Sequence, residues 1–514
     1  MAKKKQEEGL QYLQMPLPEG RKYSKMTKVA FGGLNKRYTI DSGNLTMEQN
    51  ISTSEYPYIT PSPLRRTVKY GYSKPISMFG FDDFLVVVYW DSTDKAINID
   101  YIDSNGDVYT GVLKENVERG SEDIDTPRSI VQFNVYEQSE DIVNGAYNKR
   151  LLIFPDKMSM PFYVDGDFTP DPMPDSMTPN IKYATVYLSR VFGVSDDSVY
   201  ASGFNDYTNW NLDTIDEYNE NNAWMSKTQS NTKADGNFTG ITNFQGHIVC
   251  FKRDYMHEIY NTKNPFRIQD IYAEGTIDNR SIQDVDGKLI FVSDDNVKIY
   301  TGSNPRIIGH NLNMSRYVSA VSGTDNRNYY LCCVDAEGKK YLYVYDTYTE
   351  LWSEQNIESK VVDFAHNKNG MYMLCDTYDV SGSQYKGGVI YKLDTDNYEQ
   401  FWSFETDLIT NKTVDIKHIK KLQMLVELEC GVPIWVYILY DDEVWDKLPD
   451  TDKEKRLVYT NTDITGVGKT GRFPIRVKPR NTANYGFKLH VEGNGYAKIY
   501  ELEIFVEQGG DLYV

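Results

Sequence analysis

Cysteine is nearly absent: five in 514 residues, with Cys332 and Cys333 adjacent. That count builds no disulfide framework, and no Cys-x-x-Cys pair is available for zinc. It suits folding in a reducing compartment. The six histidines, at 247, 257, 310, 366, 418 and 490, include no pair at His-Glu-x-x-His spacing, and Gly-x-Ser-x-Gly is missing. No apolar run approaches the ~20 residues of a membrane helix; the longest, Phe84–Trp90, has the length of a strand. Lys3-Lys4-Lys5 is followed by Gln6-Glu7-Glu8-Gly9 where a signal peptide would carry its apolar core, so export by that route is not expected. Basic charge is in deficit. Lys plus Arg number 55 against 74 Asp plus Glu, a net charge of −19, which argues against a general clamp on nucleic acid.

What is abundant is tyrosine, 41 residues, within an aromatic content of 13%. Tyr, Val, Ile, Phe and Thr suit half-buried pleated surfaces, and short apolar runs punctuated by Gly, Asn and Asp fill most of the chain. The fold class expected is all-β. A repeat appears in the middle. A turn residue precedes an apolar strand at Gly246, Gly287, Asn328 and Gly370, at intervals of 41, 41 and 42 residues. Each opens a strand pair, such as Ile248–Phe251 with His257–Tyr260, or Leu289–Val292 with Val297–Tyr300. A turn leading to a tryptophan recurs in Asp346–Trp352 and Asp394–Trp402, with an earlier echo in Asn205–Trp210. Four-stranded propeller blades repeat at about 40–50 residues. Further strand pairs near Phe84, Leu151 and Val186 bring the count to about seven blades.

The expected organisation has three parts. Residues 1–70 form an irregular N-terminal arm, too polar and proline-punctuated for a blade. Residues 71–404 form the β-propeller, with insertions near 115–145, 165–180 and 211–237. Residues 405–514 form a C-terminal jelly-roll-like β-sandwich, with strands at 422–429, 433–440, 473–478, 486–491 and 496–507.

Chemical motifs are weak. Gly466-Val467-Gly468-Lys469-Thr470-Gly471 satisfies Gly-x-Gly-x-x-Gly, but a phosphate loop must open a helix, and here the strand-like Arg472-Phe473-Pro474-Ile475 follows. Asp103-Ser104-Asn105-Gly106-Asp107 begins like a calcium loop, yet its twelfth position is Lys114 rather than a bidentate Glu. Asp294-Asp295-Asn296 reads as a hairpin turn. Paired carboxylates hydrolyse glycosides when held about 5–9.5 Å apart, but no local signature marks such a pair among the acidic residues. No catalytic, cofactor-binding or metal-binding residue is therefore assigned.

The order of several segments resembles one family. Phe31-Gly32-Gly33-Leu34-Asn35 is followed by Gly43-Asn44-Leu45, Glu48-Gln49-Asn50 and Pro61-Ser62-Pro63-Leu64-Arg65-Arg66. Then come Arg190-Val191-Phe192-Gly193, Val199–Gly203 with Asn209-Trp210, Gly240-Ile241, Gly246–Lys252, and finally Arg472–Val477 with Ile499–Glu503. This series is similar to tail proteins of short-tailed double-stranded-DNA bacteriophages: the tail nozzle or tubular tail proteins and the packaged-DNA stabilisation (tail hub) proteins. The Tyr-, Asn- and Asp-rich composition resembles that of crAss-like gut phages. The resemblance implies a non-enzymatic structural protein that folds in the host cytoplasm and ends in the virion tail. It implies a ring of copies, often six-fold, below the portal and its adaptor proteins, extending the conduit that retains and then releases DNA. An acidic lumen would let the duplex slide without sequence-specific binding. The alternatives are a receptor- or glycan-binding propeller at the tail tip, and a propeller glycosidase.

Overall fold

The computed structural model describes residues 13–16, 22–28, 30–115, 127–135, 149–155, 162–164, 168–173, 179–212, 219–227, 236–271, 273–312, 317–377, 387–412, 415–429, 431–441, 443–461, 471–477 and 484–508. They form a β-propeller of seven four-stranded antiparallel blades and a sandwich of two five-stranded sheets.

Six blades run from inner to outer strand in chain order. The first comprises Lys74–Phe81, Phe84–Asp91, Ala96–Ile102 and Val108–Lys114. The second starts at Pro127, the third at Tyr183, the fourth at Phe238, the fifth at Gln283 and the sixth at Tyr317. The seventh takes Val361–Asn367, Gly370–Cys375 and Gly388–Lys392 from one end of the propeller and its outer strand, Arg66–Tyr72, from the other. That pairing closes the ring.

Blade interiors read as continuous apolar runs because both faces of each blade are covered by neighbours. Leu85 and Val87 join a cluster with Ala365 and Leu374 of the seventh blade, while Val86 and Val88 join Leu151 and Ile153 of the second. Period-two alternation thus survives as a choice of neighbour rather than of core versus water. Cys332 and Cys333 divide in the same way, toward the seventh and fifth blades. The glycines marking the repeat have a local cause. Gln245 and Gly246 have φ of 45° and 83°, and Asp286 and Gly287 have 52° and 71°. Two consecutive left-handed residues make the tight hairpin whose twist matches its strands.

Several boundaries differ from the sequence expectation. The segment expected to be an irregular arm supplies three sandwich strands, Leu13–Pro16, Lys22–Lys28 and Leu45–Gln49, besides the closing strand of the propeller. Its partners lie hundreds of residues away: Lys22–Lys28 pairs with Ala497–Gln508, and Leu45–Gln49 with Phe401–Thr406. Neither pairing leaves a local hairpin signal. Phe401–Thr406, placed at the end of the propeller by its tryptophan, belongs to the sandwich. There Trp402 is buried, donating from Nε1 to the Gly495 carbonyl at 2.8 Å. Trp352, by contrast, does sit on the outer strand of the sixth blade.

All three stretches expected to be insertions contain blade strands: the inner strand Pro127–Asn134, and the outer strands Pro170–Pro172 and Trp224–Lys227. Outer strands are short and solvent-facing, so they look like loops in composition. The sandwich strands themselves, Lys417–Leu428, Ile434–Tyr440, Gly471–Val477, Phe487–Asn494 and Ala497–Gln508, lie close to the expected spans.

Sandwich and propeller meet along the outer strand of the sixth blade. Leu34 N–H donates to the Trp352 carbonyl at 2.8 Å, Asn50 N–H to the Glu354 carbonyl at 3.0 Å, and Asn356 N–H to Asn50 Oδ1 at 2.9 Å.

Candidate functional site

Two concave regions follow from this architecture. The first is an axial cavity of about 660 Å³ where inner strands of six blades converge. The short helical turn Asn279–Ser281, which precedes the fifth blade, crosses one side of it. Asn279 Oδ1 accepts from Ile241 N–H of the fourth blade at 3.1 Å, and Ser322 Oγ of the sixth donates to the Arg280 carbonyl at 2.9 Å. The Arg280 guanidinium is held by Asp278, at 2.8 and 3.2 Å, and its far end lies 3.5 Å from the Val362 carbonyl of the seventh blade. Asp363, in the cavity wall, accepts from Ser77 Oγ and Met78 N–H, each at 2.9 Å. Burial raises its pKa, against the pull of the Met78 amide, the Arg280 charge and the Ser77 hydroxyl. Asp278, Arg280 and Asp363 are thus occupied in tying blades together.

The second is a cleft of about 960 Å³ between the sandwich and the sixth blade. Its carboxylates are mostly tied down. Glu354 pairs with Lys36 at 2.6 Å, Glu405 with Lys488 at 2.8 Å, and Glu492 lies 3.0 Å from His490 Nε2. Tyr38 and Phe401, 70% and 40% exposed, stand in the same lining. Glu48 differs. It is 4% exposed, and among the described residues no side-chain donor reaches either carboxylate oxygen. Burial, then the charge of Glu354, raises its pKa well above the ordinary glutamate range; the Glu354 backbone amide and Lys36 oppose this.

A carboxyl with a raised folded-state pKa favours folding while it holds its proton. That contribution is intact below the unfolded value, roughly pH 4.3, and is lost as pH rises through the folded value. Glu48→Gln is therefore expected to flatten the decline in stability from about pH 4.3 upward, and to stabilise the protein at pH 8 by about 1–3 kcal/mol. Urea unfolding across pH checks this. An unchanged pH slope would show that Glu48 is not the titrating group.

The motifs weighed from sequence lie elsewhere. Residues 462–470 of the glycine-rich loop are outside the described residues, and Gly471 opens a strand. In the Asp103 turn, Oδ1 accepts from Asn105 N–H at 2.9 Å and Asp107 N–H at 2.8 Å, which spends the carboxylate on the backbone. Asp294 pairs with Arg253, and Asp295 Oδ1 accepts from Ser293 Oγ at 2.6 Å. Among the described residues, no group of three or more His, Cys, Asp or Glu could hold a metal ion. The Cys332 and Cys375 thiols are buried, and burial pushes them up to about 11 and about 12, far from a thiolate at neutral pH. His247 and Glu258, 3.2 Å apart, look like an acid–base pair, but both are buried, and Glu258 also accepts from the Tyr260 and Tyr300 hydroxyls.

Sequence reading passed over Glu48, Arg280 and Asp363. Nothing in their local context separates them from other charged residues. An acid amid the strand Leu45–Gln49 would have stood out only had that strand been recognised.

No family model matches this chain, and no curated protein does. Solved structures resemble it in part. A WD40 domain of Neurospora crassa Pan2 matches at 7% identity over 63% of this chain and 90% of that one, with a TM-score of 0.37. The extracellular domain of a one-component system from B. thetaiotaomicron matches at 9% over 92% and 67%, with a TM-score of 0.41. A puromycin-hydrolysing peptidase of Mycobacterium tuberculosis matches at 11% over 66% and 58%, with a TM-score of 0.38. Such distant likenesses carry no functional argument.

Proposed function

We propose that this chain is a structural subunit of a phage tail, one copy in a ring that extends the DNA conduit below the portal. The observation that carries the reading is the set of bulky side chains standing in solvent on a well-packed block, among them Tyr38 at 70%, Tyr348 at 66%, Val318 at 63% and Tyr485 at 62% exposed. Tyrosine supplies interface area at low entropic cost and a hydroxyl for a partner. The motif order described above supports the same reading. The sandwich is built from strands on both sides of the propeller in the chain, within residues 13–49 before it and 401–508 after it, and this double tether suits a load-carrying part.

The conduit on this reading is the centre of the ring of copies and not the propeller axis. A cavity of about 660 Å³ crossed by Arg280 has the size of a small-molecule pocket and cannot pass a duplex. A net charge of −19 repels phosphate and lets DNA slide. Cryo-EM of the source particle tests the proposal: the chain is expected as a ring coaxial with the portal. Its absence from purified particles would refute it.

The cleft favours a second reading. Exposed Tyr38 and Phe401 beside polar walls are what a glycan-binding surface at a tail tip would present. A glycan-array signal abolished by Tyr38→Ala with Phe401→Ala would support that reading. Silence on the array would leave the ring alone.

A further inference from the structure

The sandwich holds a buried ion pair that does not close. Lys28 ends the strand Lys22–Lys28 in one sheet, and Asp407 follows Phe401–Thr406 in the other. Their side chains are 13% and 0% exposed, yet Lys28 Nζ stops 3.8 Å from Asp407 Oδ1. Other buried carboxylates are met more closely: Asp100 by Lys69 at 2.7 Å and Glu405 by Lys488 at 2.8 Å. Among the described residues, no hydrogen-bond donor reaches Asp407 Oδ1.

The other oxygen is the opposite case. Asp407 Oδ2 accepts from Ser42 N–H at 2.5 Å, Ser42 Oγ at 2.7 Å and Gly43 N–H at 3.0 Å. Several fixed donors on one oxygen are the arrangement that stabilises a developing oxyanion. The surroundings lead the amine to the carboxyl. Lys28 Nζ lies 5.6 Å from the centre of the buried Phe31 ring, and its stem crosses the Ser42-Gly43 turn, where a Cβ on Gly43 would stand 3.0 Å from Lys28 Cε. Burial lowers the Lys28 pKa, against the charges of Asp407 and then Asp41. A desolvated lysine of this kind is a better nucleophile, because more of it is the neutral amine.

We infer that Lys28 and Asp407 join in an isopeptide bond, an amide between the two side chains formed with loss of one water. The ammonium first passes a proton to Oδ1, leaving an amine and a carboxylic acid, the pair that a dry site favours over two charges. Nζ then attacks Cγ. The C–N bond forms, and the carbonyl π pair moves onto Oδ2, where the Ser42 and Gly43 donors receive it. A second Nζ proton passes to the Oδ1 hydroxyl, the Cγ–Oδ1 bond breaks, water leaves and the carbonyl re-forms. The third proton stays on the amide nitrogen. The bond ties the two sheets of the sandwich together and encloses the whole propeller in one covalent loop, from residue 28 to residue 407, which restricts the unfolded chain. This inference goes beyond the ring reading and does not rest on it.

Intact-mass spectrometry of the denatured full chain, followed by tryptic mapping, tests it. The wild type is expected to weigh one water less than its sequence, to resist cleavage after Lys28 and to yield a branched peptide joining Lys28 to Asp407. Lys28→Arg, which keeps the charge, and Asp407→Ala are each expected to restore the full mass. A wild type at full sequence mass after prolonged incubation of the folded protein overturns the inference. So does a deficit that persists in Lys28→Arg, which would place the lost water elsewhere, as in an aspartyl succinimide. Should either variant fail to fold, the wild-type mass and the branched peptide decide alone. The ring reading is decided separately, by reconstruction of the particle.

Discussion

A chain beginning at residue 73 is expected to lose cooperative folding altogether. Such a truncation removes the strand that closes the seventh blade on Gly388–Lys392, leaving Val389 and Ile390, both fully buried, at an open edge. It removes the Leu45–Gln49 partner of Phe401–Thr406 and the Lys22–Lys28 partner of Ala497–Gln508, so both sandwich sheets lose a member. Besides Tyr72, it takes, among the described residues, six buried side chains without polar atoms, Met26, Phe31, Leu34, Leu45, Ile51 and Ile59. At about 1.5–3 kcal/mol each, their burial is worth about 9–18 kcal/mol. That rivals the 5–15 kcal/mol by which a typical native protein exceeds its unfolded state. Circular dichroism melting and near-ultraviolet spectra would show it: no sharp transition and no fixed aromatic signal. A truncated chain that melts as sharply as the full one would mean that both domains close without this segment.

Asp100→Ala is expected to give the largest loss of any single substitution at the closing seam, about 3–5 kcal/mol. Asp100 is 2% exposed and accepts four hydrogen bonds, from Lys69 Nζ at 2.7 Å, Thr110 Oγ1 at 2.8 Å, Tyr89 OH at 3.2 Å and Tyr72 OH at 3.3 Å. Burial first, and then this carboxylate, raises the pKa of both tyrosines, so their hydroxyls stay protonated as donors. Alanine would leave an ammonium and three hydroxyls without their acceptor. Asp100→Asn, which keeps the shape and one oxygen, should cost less. Because Lys69 is the only one of the four donors on the closing strand besides Tyr72, Lys69→Met and Asp100→Ala should be strongly non-additive in urea melts. Additive losses would show that the pair does not bind the seam.

The parts of the fold legible in the sequence share a physical cause. Hairpins such as His247–Lys252 with Met256–Tyr260, joined by short turns, bring neighbours in sequence together in space, so period, turn residues and apolar runs all mark them. The sandwich strands after residue 417 alternate for the same reason: Lys417–Leu428 has one buried and one solvent face over most of its length. The closing strand Arg66–Tyr72 was not legible, because only Tyr72 in it is buried and its partner is more than 300 residues away.

The site is the harder case. Glu48 and Asp100 are ordinary acidic residues in a chain with 74 of them. What sets them apart is their surroundings: one lies between a blade and a sheet with no side-chain donor among the described residues, the other among four donors.

Composition, period and turn chemistry were enough to establish an acidic all-β chain with about seven blades and a following sandwich, because those properties arise from residues close together along the backbone. Which strand closes the propeller, that the described strands before residue 73 are divided between both domains, and which carboxylates are paired were decided only in three dimensions. Those features depend on contacts between distant segments, and the free energy that selects them belongs to the assembled block rather than to any stretch of it.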